Sequence, residues 1–377
     1  MVTGSENRIK LKKDYTIEYD VIFKSGLFQN KLTSDLKRII SNKKLLVVVD
    51  TKFYDLHKNT IDEYFASLGN KYHLFLLDIC EANKNLETVS IVCNAAREFK
   101  LYRDSYFIGI GGGITLDIVG FAASMYRRKS KYIRIPTTLV GMIDAGVGVK
   151  VGVNFLTSKN LIGSYYAPVA TFVDQSFLTT LDSNQIRDGL YEIIKMGIIM
   201  DKKLFELVEH FMHKFFDKKL DNDTERIMYL SSIDMMHELA PNLHEHVLER
   251  SVDFGHTFSP HIEESDNYRI SHGEAVGKDI LLSTHIAHNR GLISTQDFDR
   301  IIKLIKNVGF TKGHNFSSVE DLHKSLKAIK RHRAGSLNLV VPTGIGSHTF
   351  IQECSIDEIS EAVNFYYSTQ NNNETSN

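Results

Sequence analysis

The sequence predicts two parts in series, an α/β domain built on a parallel sheet over residues 1–180 and a mainly α-helical domain over 181–369. Three observations predict this. Up to about residue 175, short apolar runs alternate with amphipathic stretches, the pattern of strands joined by helices on the faces of a parallel sheet. One run ends directly in three consecutive glycines, Gly111, Gly112 and Gly113. Beyond Asn184 the segments lengthen, take helical periodicity and lose glycine.

In the first part, residues 45–49 and 73–79 read as strands and 86–99 as a helix. A strand at 106–110, a helix at 114–126 and a strand at 132–135 follow. In the second part, helical spacing runs over 185–200, 203–216, 225–239 and 273–288. The apolar run 337–341 reads as a strand that Pro342 stops. The join between the parts falls near 175–185, and the Asn/Thr/Ser-rich tail 370–377 is expected to be disordered.

Composition narrows the function. Apolar residues at 42% and charged residues at 24% are those of a globular chain. A net charge of −1 gives no basic field for nucleic acid or an acidic membrane surface, so an anionic ligand needs a local cluster of cations. No apolar stretch approaches the roughly 20 residues of a membrane span, and residues 1–13 lack an apolar signal core. Cys80, Cys93 and Cys354 are odd in number and far apart, as expected of buried apolar side chains in a reducing cytoplasm.

The run from Gly109 through Gly111, Gly112 and Gly113 to Asp117 follows a strand and opens a helix. Free N–H groups and the positive end of the helix dipole there suit a pyrophosphate, and glycine lets a ligand approach closely. The spacing departs from GxGxxG, and a turn kept for packing reads equally well. Asp50 ends the first strand, and Glu81 and Lys84 lie just past the next, where the carboxyl ends of strands form a crevice.

Between residues 127 and 160, Arg128, Thr137, Thr138, Asp144, Lys150, Lys159 and Asn160 gather in apolar surroundings. A lysine after Ala-Gly-Val-Gly-Val asks for an ionic partner, and a substrate phosphate is one candidate. The bland alternative is a loop lysine reaching water along its stem. Glu192 and Lys195 stand three apart on one helical face; an exposed ion pair of this kind would contribute only about 0.3–0.5 kcal/mol. His256 and His272 each open an apolar helical run. One glutamate with two histidines leaves a coordination position open, as a catalytic zinc site does, although neither HxxxH nor HExxH occurs around them.

Together, seven strings resemble the 3-dehydroquinate synthase superfamily over roughly residues 40 to 345. They are Gly111-Gly-Gly-Ile-Thr-Leu-Asp117, Ile135-Pro-Thr-Thr138, Asp144 with Lys150, Lys159-Asn-Leu-Ile-Gly163, Glu192-Ile-Ile-Lys195, Phe254-Gly-His-Thr257 and His272-Gly-Glu-Ala275. The resemblance implies a dehydroquinate synthase-like fold: a Rossmann-like NAD-binding domain, a helical metal-binding domain, a cleft between them and a homodimer. It implies zinc, with cobalt as an alternative, on Glu192, His256 and His272. Asp50, Glu81, Lys84, Gly111, Gly112, Gly113, Asp117, Thr137, Thr138 and Thr180 match cofactor-binding positions. Arg128, Asp144, Lys150, Lys159, Asn160 and Lys195 match residues for substrate and its phosphate, with Lys159 also counted on the cofactor side. Substrate contacts are further implied around Lys330-Arg331-His332-Arg333.

Departures from that family's pattern point to the substrate. Dehydroquinate synthase receives a carboxylate with an arginine and an asparagine, where this sequence resembles the pattern with Glu249 and Asp253; Met235 replaces a lysine and Pro260 a histidine. Acids there would repel a carboxylate and accept hydrogen bonds from hydroxyls. The strings Gly163-Ser-Tyr-Tyr-Ala-Pro168, Glu238-Leu-Ala-Pro-Asn242 and Val252-Asp-Phe-Gly-His-Thr-Phe-Ser-Pro260 resemble the sedoheptulose 7-phosphate cyclase branch. That branch implies cyclisation to 2-epi-5-epi-valiolone, with 2-epi-valiolone and desmethyl-4-deoxygadusol as sister products.

Overall fold

In a computed structural model, the structure describes residues 2–5, 8–29, 34–78, 80–156, 158–311, 316, 318–332 and 335–371. A hairpin of β1 (Val2–Ser5) and β2 (Arg8–Leu11) precedes β3 (Asp20–Phe23) and α1 (Ser34–Ile40). Then β4 (Leu45–Asp50), α2 (Thr51–Ser67), β5 (Tyr72–Leu77), α3 (Leu86–Glu98), β6 (Tyr106–Gly111), α4 (Gly113–Met125) and β7 (Lys131–Pro136) alternate as the sequence predicts. A hairpin of β8 (Lys150–Phe155) and β9 (Ser158–Tyr165) leads to β10 (Ala170–Val173).

Six strands form one parallel sheet in the order β3-β10-β7-β6-β4-β5. Strand alternation divides its core. Leu45, Val47 and Val49 of β4 face a cluster that continues into the helical half through residues such as Ile193 and Leu281. Leu46 and Val48 face the opposite side, against Val89 and Val92 of α3 and Ile118 and Val119 of α4. The chain goes from β4 outward to β5 and returns to β6 on the other side of β4, so the sheet order reverses between the carboxyl ends of β4 and β6. Crevices at such a reversal hold ligands in open α/β sheets. Asp50 and Gly111 sit at those two strand ends.

The second half holds α5 (Ser183–Ile199), α6 (Lys202–Phe211), α7 (His213–Phe216), α8 (Asn222–Leu239), α9 (Ser259–Ser265), α10 (His272–Asn289), α11 (Thr295–Val308), α12 (Val319–His332) and α13 (Ile356–Asn371). It also holds a hairpin of β11 (Leu339–Gly344) and β12 (Ser347–Ile351). Asp182 starts α5 through a reciprocal capping box with Gln185. Four expectations need correction. The helix expected over 203–216 is two helices that meet at Met212. Pro342 does not stop its strand but pairs with His348 inside β11, next to a register shift; a two-stranded hairpin has edges where a missing N–H is tolerated. Residues 370 and 371 end α13, while 372–377 lie outside the described residues. Cys80 is exposed, unlike buried Cys354 and half-buried Cys93, because it precedes a surface turn.

Candidate active site

The parallel sheet delivers its polar residues to one end. Gly111 closes β6, Gly112 caps α4 and Gly113 opens it, so the first free N–H groups of that helix face the crevice. A Cβ on Gly111 would overlap the Thr115 side chain, which makes glycine obligatory at that close approach. Thr137 N donates to Gly111 O at 2.9 Å, and the Thr138 side chain lies against Gly112. Asp50 accepts from Phe53 N at 2.9 Å as the cap of α2, which holds its carboxylate at the strand end. Glu81 accepts from Asn154 Nδ2 at 2.8 Å. Thr180 is exposed beside α2, 3.4 Å from His57 Nε2.

Lys84 is the junction of this end. Only 5% exposed, it reaches Asp117 Oδ2 and Asn160 Oδ1, each at 2.6 Å, and so ties α4 to the β8–β9 hairpin. Burial pushes the Asp117 carboxyl up, and Lys84 pulls against that shift.

A cavity of about 610 Å³ opens next to this junction, within the range of small-molecule sites. Asp144, Lys150, Asn160, Lys195 and Asp253 line it together with His256 and His272, and Asp117 borders it. Sequence reading placed these residues on separate segments; the fold brings them around one cavity. Lys150 opens β8 and has an ionic partner in Glu245 Oε1 at 2.9 Å. Asp144 lies in a π-helical turn, where burial and the Glu192 carboxylate raise its pKa.

Glu192, His256 and His272 converge, with one donor atom of each within 4.8 Å of the others. Glu192 is fully buried on α5, and neither of its oxygens has a hydrogen-bond partner, although Lys195 Nζ stands 2.6 Å from Oε2. An exposed i, i+3 pair is thereby ruled out: Lys195 is 2% exposed. His256 Nδ1 faces Phe254 O at 3.2 Å and His272 Nδ1 faces Glu263 at 2.9 Å. Both Nε2 atoms are left toward Glu192 Oε1, at 3.6 and 3.3 Å. Orphaned carboxylate oxygens and two oriented imidazoles suit a divalent cation such as zinc or cobalt. The charges agree. Burial would raise Glu192, but Lys195 and the two histidines hold it well below the usual carboxylate range. Burial and Lys195 lower His256 to about 4, while Glu192 and Glu263 raise His272 against the pull of burial. The expectation that both histidines open helices is half right. His272 begins α10, whereas His256 precedes α9 in the turn that starts at Gly255, φ +76°.

Other expected residues lie elsewhere. Arg128 is exposed in the turn before β7, at the amino end of the sheet, where Lys131 pairs with Tyr106 rather than with Gly111; it does not line the cavity of its own chain. Lys159 pairs with Glu263 Oε2 at 2.5 Å and lies over the Tyr268 ring, so it supports the metal side rather than the glycine turn. Glu249 and Pro260 are exposed and outside the cavity lining, whereas Met235 and Asp253 are in it. The side chains of Arg331 and His332, and the whole of Arg333, lie outside the described residues; Lys330 is exposed.

Several functional candidates escaped the sequence reading. Arg250 enters the cavity held by Asp253 at 2.5 Å and by Glu245, so it is neutralised on both sides. Glu263 links His272 to Lys159, and burial is outweighed by those two partners, which bring it to about 2. Arg134, fully buried on β7, donates to Gly148 O and anchors the segment before Lys150. Only the spacing from His256 to Glu263, one helical turn into α9, hinted at any of these.

Two family models, described as 3-dehydroquinate synthase N-terminal and C-terminal, match residues 74–188 and 189–332. The chain belongs to the 3-dehydroquinate synthase family. Among relatives in this family, a 2-epi-5-epi-valiolone synthase of an Actinomyces species is 35% identical over 94% of this chain and 97% of its own. A demethyl-4-deoxygadusol synthase of Trichormus variabilis is 35% identical over 92% and 87%. The solved structure of ValA, a 2-epi-5-epi-valiolone synthase from Streptomyces hygroscopicus subsp. jinggangensis 5008 with NAD+ and Zn2+ bound, superposes with a TM-score of 0.89 at 34% identity, covering 95% of this chain and 99% of that one. The family fold is therefore present along nearly the whole chain.

Proposed function

We propose that the protein is a sugar-phosphate cyclase that converts sedoheptulose 7-phosphate into 2-epi-5-epi-valiolone and inorganic phosphate, using NAD and a divalent metal, zinc or cobalt. The observation that carries this reading is the convergence of Glu192, His256 and His272 at a cavity whose lining gathers both histidines with Lys150, Lys195, Asn160 and Asp253. Relatives and the ValA structure with bound NAD+ and Zn2+ support it. The Trichormus variabilis relative, a demethyl-4-deoxygadusol synthase, keeps that cyclitol as a second candidate product.

The glycine turn and the threonines after β7 suit the NAD pyrophosphate, and Asp50 and Glu81 at the strand ends suit its hydroxyl groups. Bound there, NAD supplies reversible oxidation of a substrate alcohol and the metal polarises the substrate oxygens it holds. The residues of the chain do the rest. Lys195 and Lys150, aided by Asn160, grip the phosphate and stabilise charge as it leaves by β-elimination: the carbon beside the transient ketone loses its proton and the C–O bond to phosphate breaks at the next carbon. Asp144 and Asp253 accept hydrogen bonds from hydroxyls and hold the opened chain so that its two ends meet in an aldol closure. The departing phosphate is itself basic enough to take the proton from the carbon beside the ketone, so no separate protein base is assigned. Arg250 is held by two carboxylates, Asp253 and the Glu245 that it shares with Lys150, which leaves it less charge to offer a substrate carboxylate. This disfavours a 3-dehydroquinate synthase reaction.

No helix among the described residues is long and apolar enough to cross a membrane. We further place the protein in the cytoplasm as a homodimer, with the join between its α/β and helical parts at residues 180 and 181, just ahead of α5. Incubation with sedoheptulose 7-phosphate, NAD and zinc tests the activity. One phosphate per cyclitol, identified by NMR, without build-up of reduced nicotinamide, is the expected result. Net reduced nicotinamide would show a polyol dehydrogenase instead, and turnover of only a carboxylated heptulosonate phosphate a dehydroquinate synthase.

A further inference from the structure

We propose that Asp279 is a positioning residue of the metal centre, clamping the loop that carries His256 onto the helix that carries His272. The inference rests on the metal-binding reading of Glu192, His256 and His272. Asp279 lies on α10 seven residues after His272, on the same face and about 10 Å along the axis. It is fully buried. Its Oδ2 accepts from three consecutive backbone N–H groups, Thr257 at 2.7 Å, Phe258 at 2.5 Å and Ser259 at 3.0 Å. Its Oδ1 accepts from Ser283 Oγ, one turn further along α10, at 3.0 Å. That bond sets the rotation of the carboxylate.

The three donors follow His256 directly in the chain. Two of them, Phe258 and Ser259, are N–H groups that the start of α9 leaves without carbonyl partners, and Thr257 adds the one just before; among the described residues no other side chain takes them. A second contact presses the same loop onto the same helix. A Cβ on Gly255, with φ +76°, would lie 2.9 Å from Val276 Cγ1, so the backbone before His256 rests directly on α10. Phe254 and Phe258, both fully buried, join the same core cluster as Val276 and Ile280 of α10. The separation of the two imidazoles is thus set within one unit, α10 with its strapped loop, and Glu192 arrives from α5 as the third ligand. An ordinary helix cap would need one or two of these bonds and would not reach a carboxylate on a different helix.

A cap supports stability alone, whereas a positioning residue also sets metal affinity and ligand geometry. The test compares the wild type, Asp279→Asn and Asp279→Ala by chelator competition for zinc and by the visible spectrum of the cobalt-loaded protein. Asp279→Ala should weaken zinc about tenfold or more and alter the cobalt bands. Asp279→Asn, which keeps an oxygen acceptor without the charge, should recover most of the loss while staying several-fold weaker than wild type. NAD affinity should be the same in all three. Wild-type zinc affinity and cobalt spectrum in Asp279→Ala would overturn the proposal, as would wild-type values in Asp279→Asn should the alanine variant not fold. Wild-type protein that bound no metal would instead defeat the reading beneath it.

Discussion

Replacing Lys195 by methionine separates the ion pair from the metal site in one measurement. Lys195 Nζ lies 2.6 Å from Glu192, and both side chains are almost wholly buried. Methionine keeps the length of the stem but removes the charge, so the buried carboxylate loses its nearest cation and keeps only the two histidines. Breaking a buried pair on one side costs about 3–5 kcal/mol. At roughly 2 °C per kcal/mol for a chain of this size, the metal-free variant should melt about 6–10 °C below the wild type. A bound cation takes over the neutralisation of Glu192, so zinc-saturated variant and wild type should differ by only about 1 kcal/mol. By the same thermodynamic cycle, zinc affinity should rise by at least about tenfold. Phosphate release from sedoheptulose 7-phosphate should be lost. Calorimetric melting with and without zinc, with chelator competition, measures both effects. An equal loss of melting temperature in the two states would refute the reasoning, because Glu192 would then not be the shared partner of lysine and metal.

Glu263→Ala frees His272 Nδ1 and unpairs Lys159, and should weaken zinc by about 10–100-fold in the same competition assay. Gly111→Ala forces a Cβ into Thr115 and should raise the NAD dissociation constant about tenfold or more while leaving zinc affinity intact, as followed by titration calorimetry. Arg290 grips Glu358 through two bonds, at 2.6 and 3.0 Å, and ties α10 to α13. That contact lowers the Glu358 carboxyl to about 2 from 4.5, so its stabilisation is complete above about pH 4.5 and is lost as pH falls toward 2. Arg290→Met should remove this part of the acid sensitivity, up to about 1 kcal/mol for a pair that solvent reaches, in melting curves recorded between neutral and acid pH.

The strand and helix series from Leu45 to Pro136 was legible because its central strands β4 and β6 are buried on both faces and read as unbroken apolar runs. The metal triad was legible as residue types, since Glu192 and His272 stand in apolar helices where an unsatisfied polar side chain needs a reason. Their convergence was not, because it depends on the crossing of α5 and α10 and on a loop before α9. The β8–β9 hairpin was read as a charged block, because Lys150, Lys159 and Asn160 interrupt its alternation. Arg250 and Glu249 show the limit of sequence comparison. One residue of register decides which side chain enters the cavity, and the fold turns Arg250 inward and Glu249 out. Asp279 carried no signal, since its partners are backbone N–H groups about twenty residues away, and Glu263 gave only its spacing from His256.

The convergence of three side chains on one cation is the claim beneath the rest. A crystal structure of the zinc-loaded protein, with anomalous maps recorded at the zinc edge, tests it directly. One strong peak bonded to a Glu192 carboxylate oxygen and to Nε2 of His256 and His272 is the predicted result. A peak ligated by other residues, or a zinc-saturated crystal with no peak between these three, would contradict it.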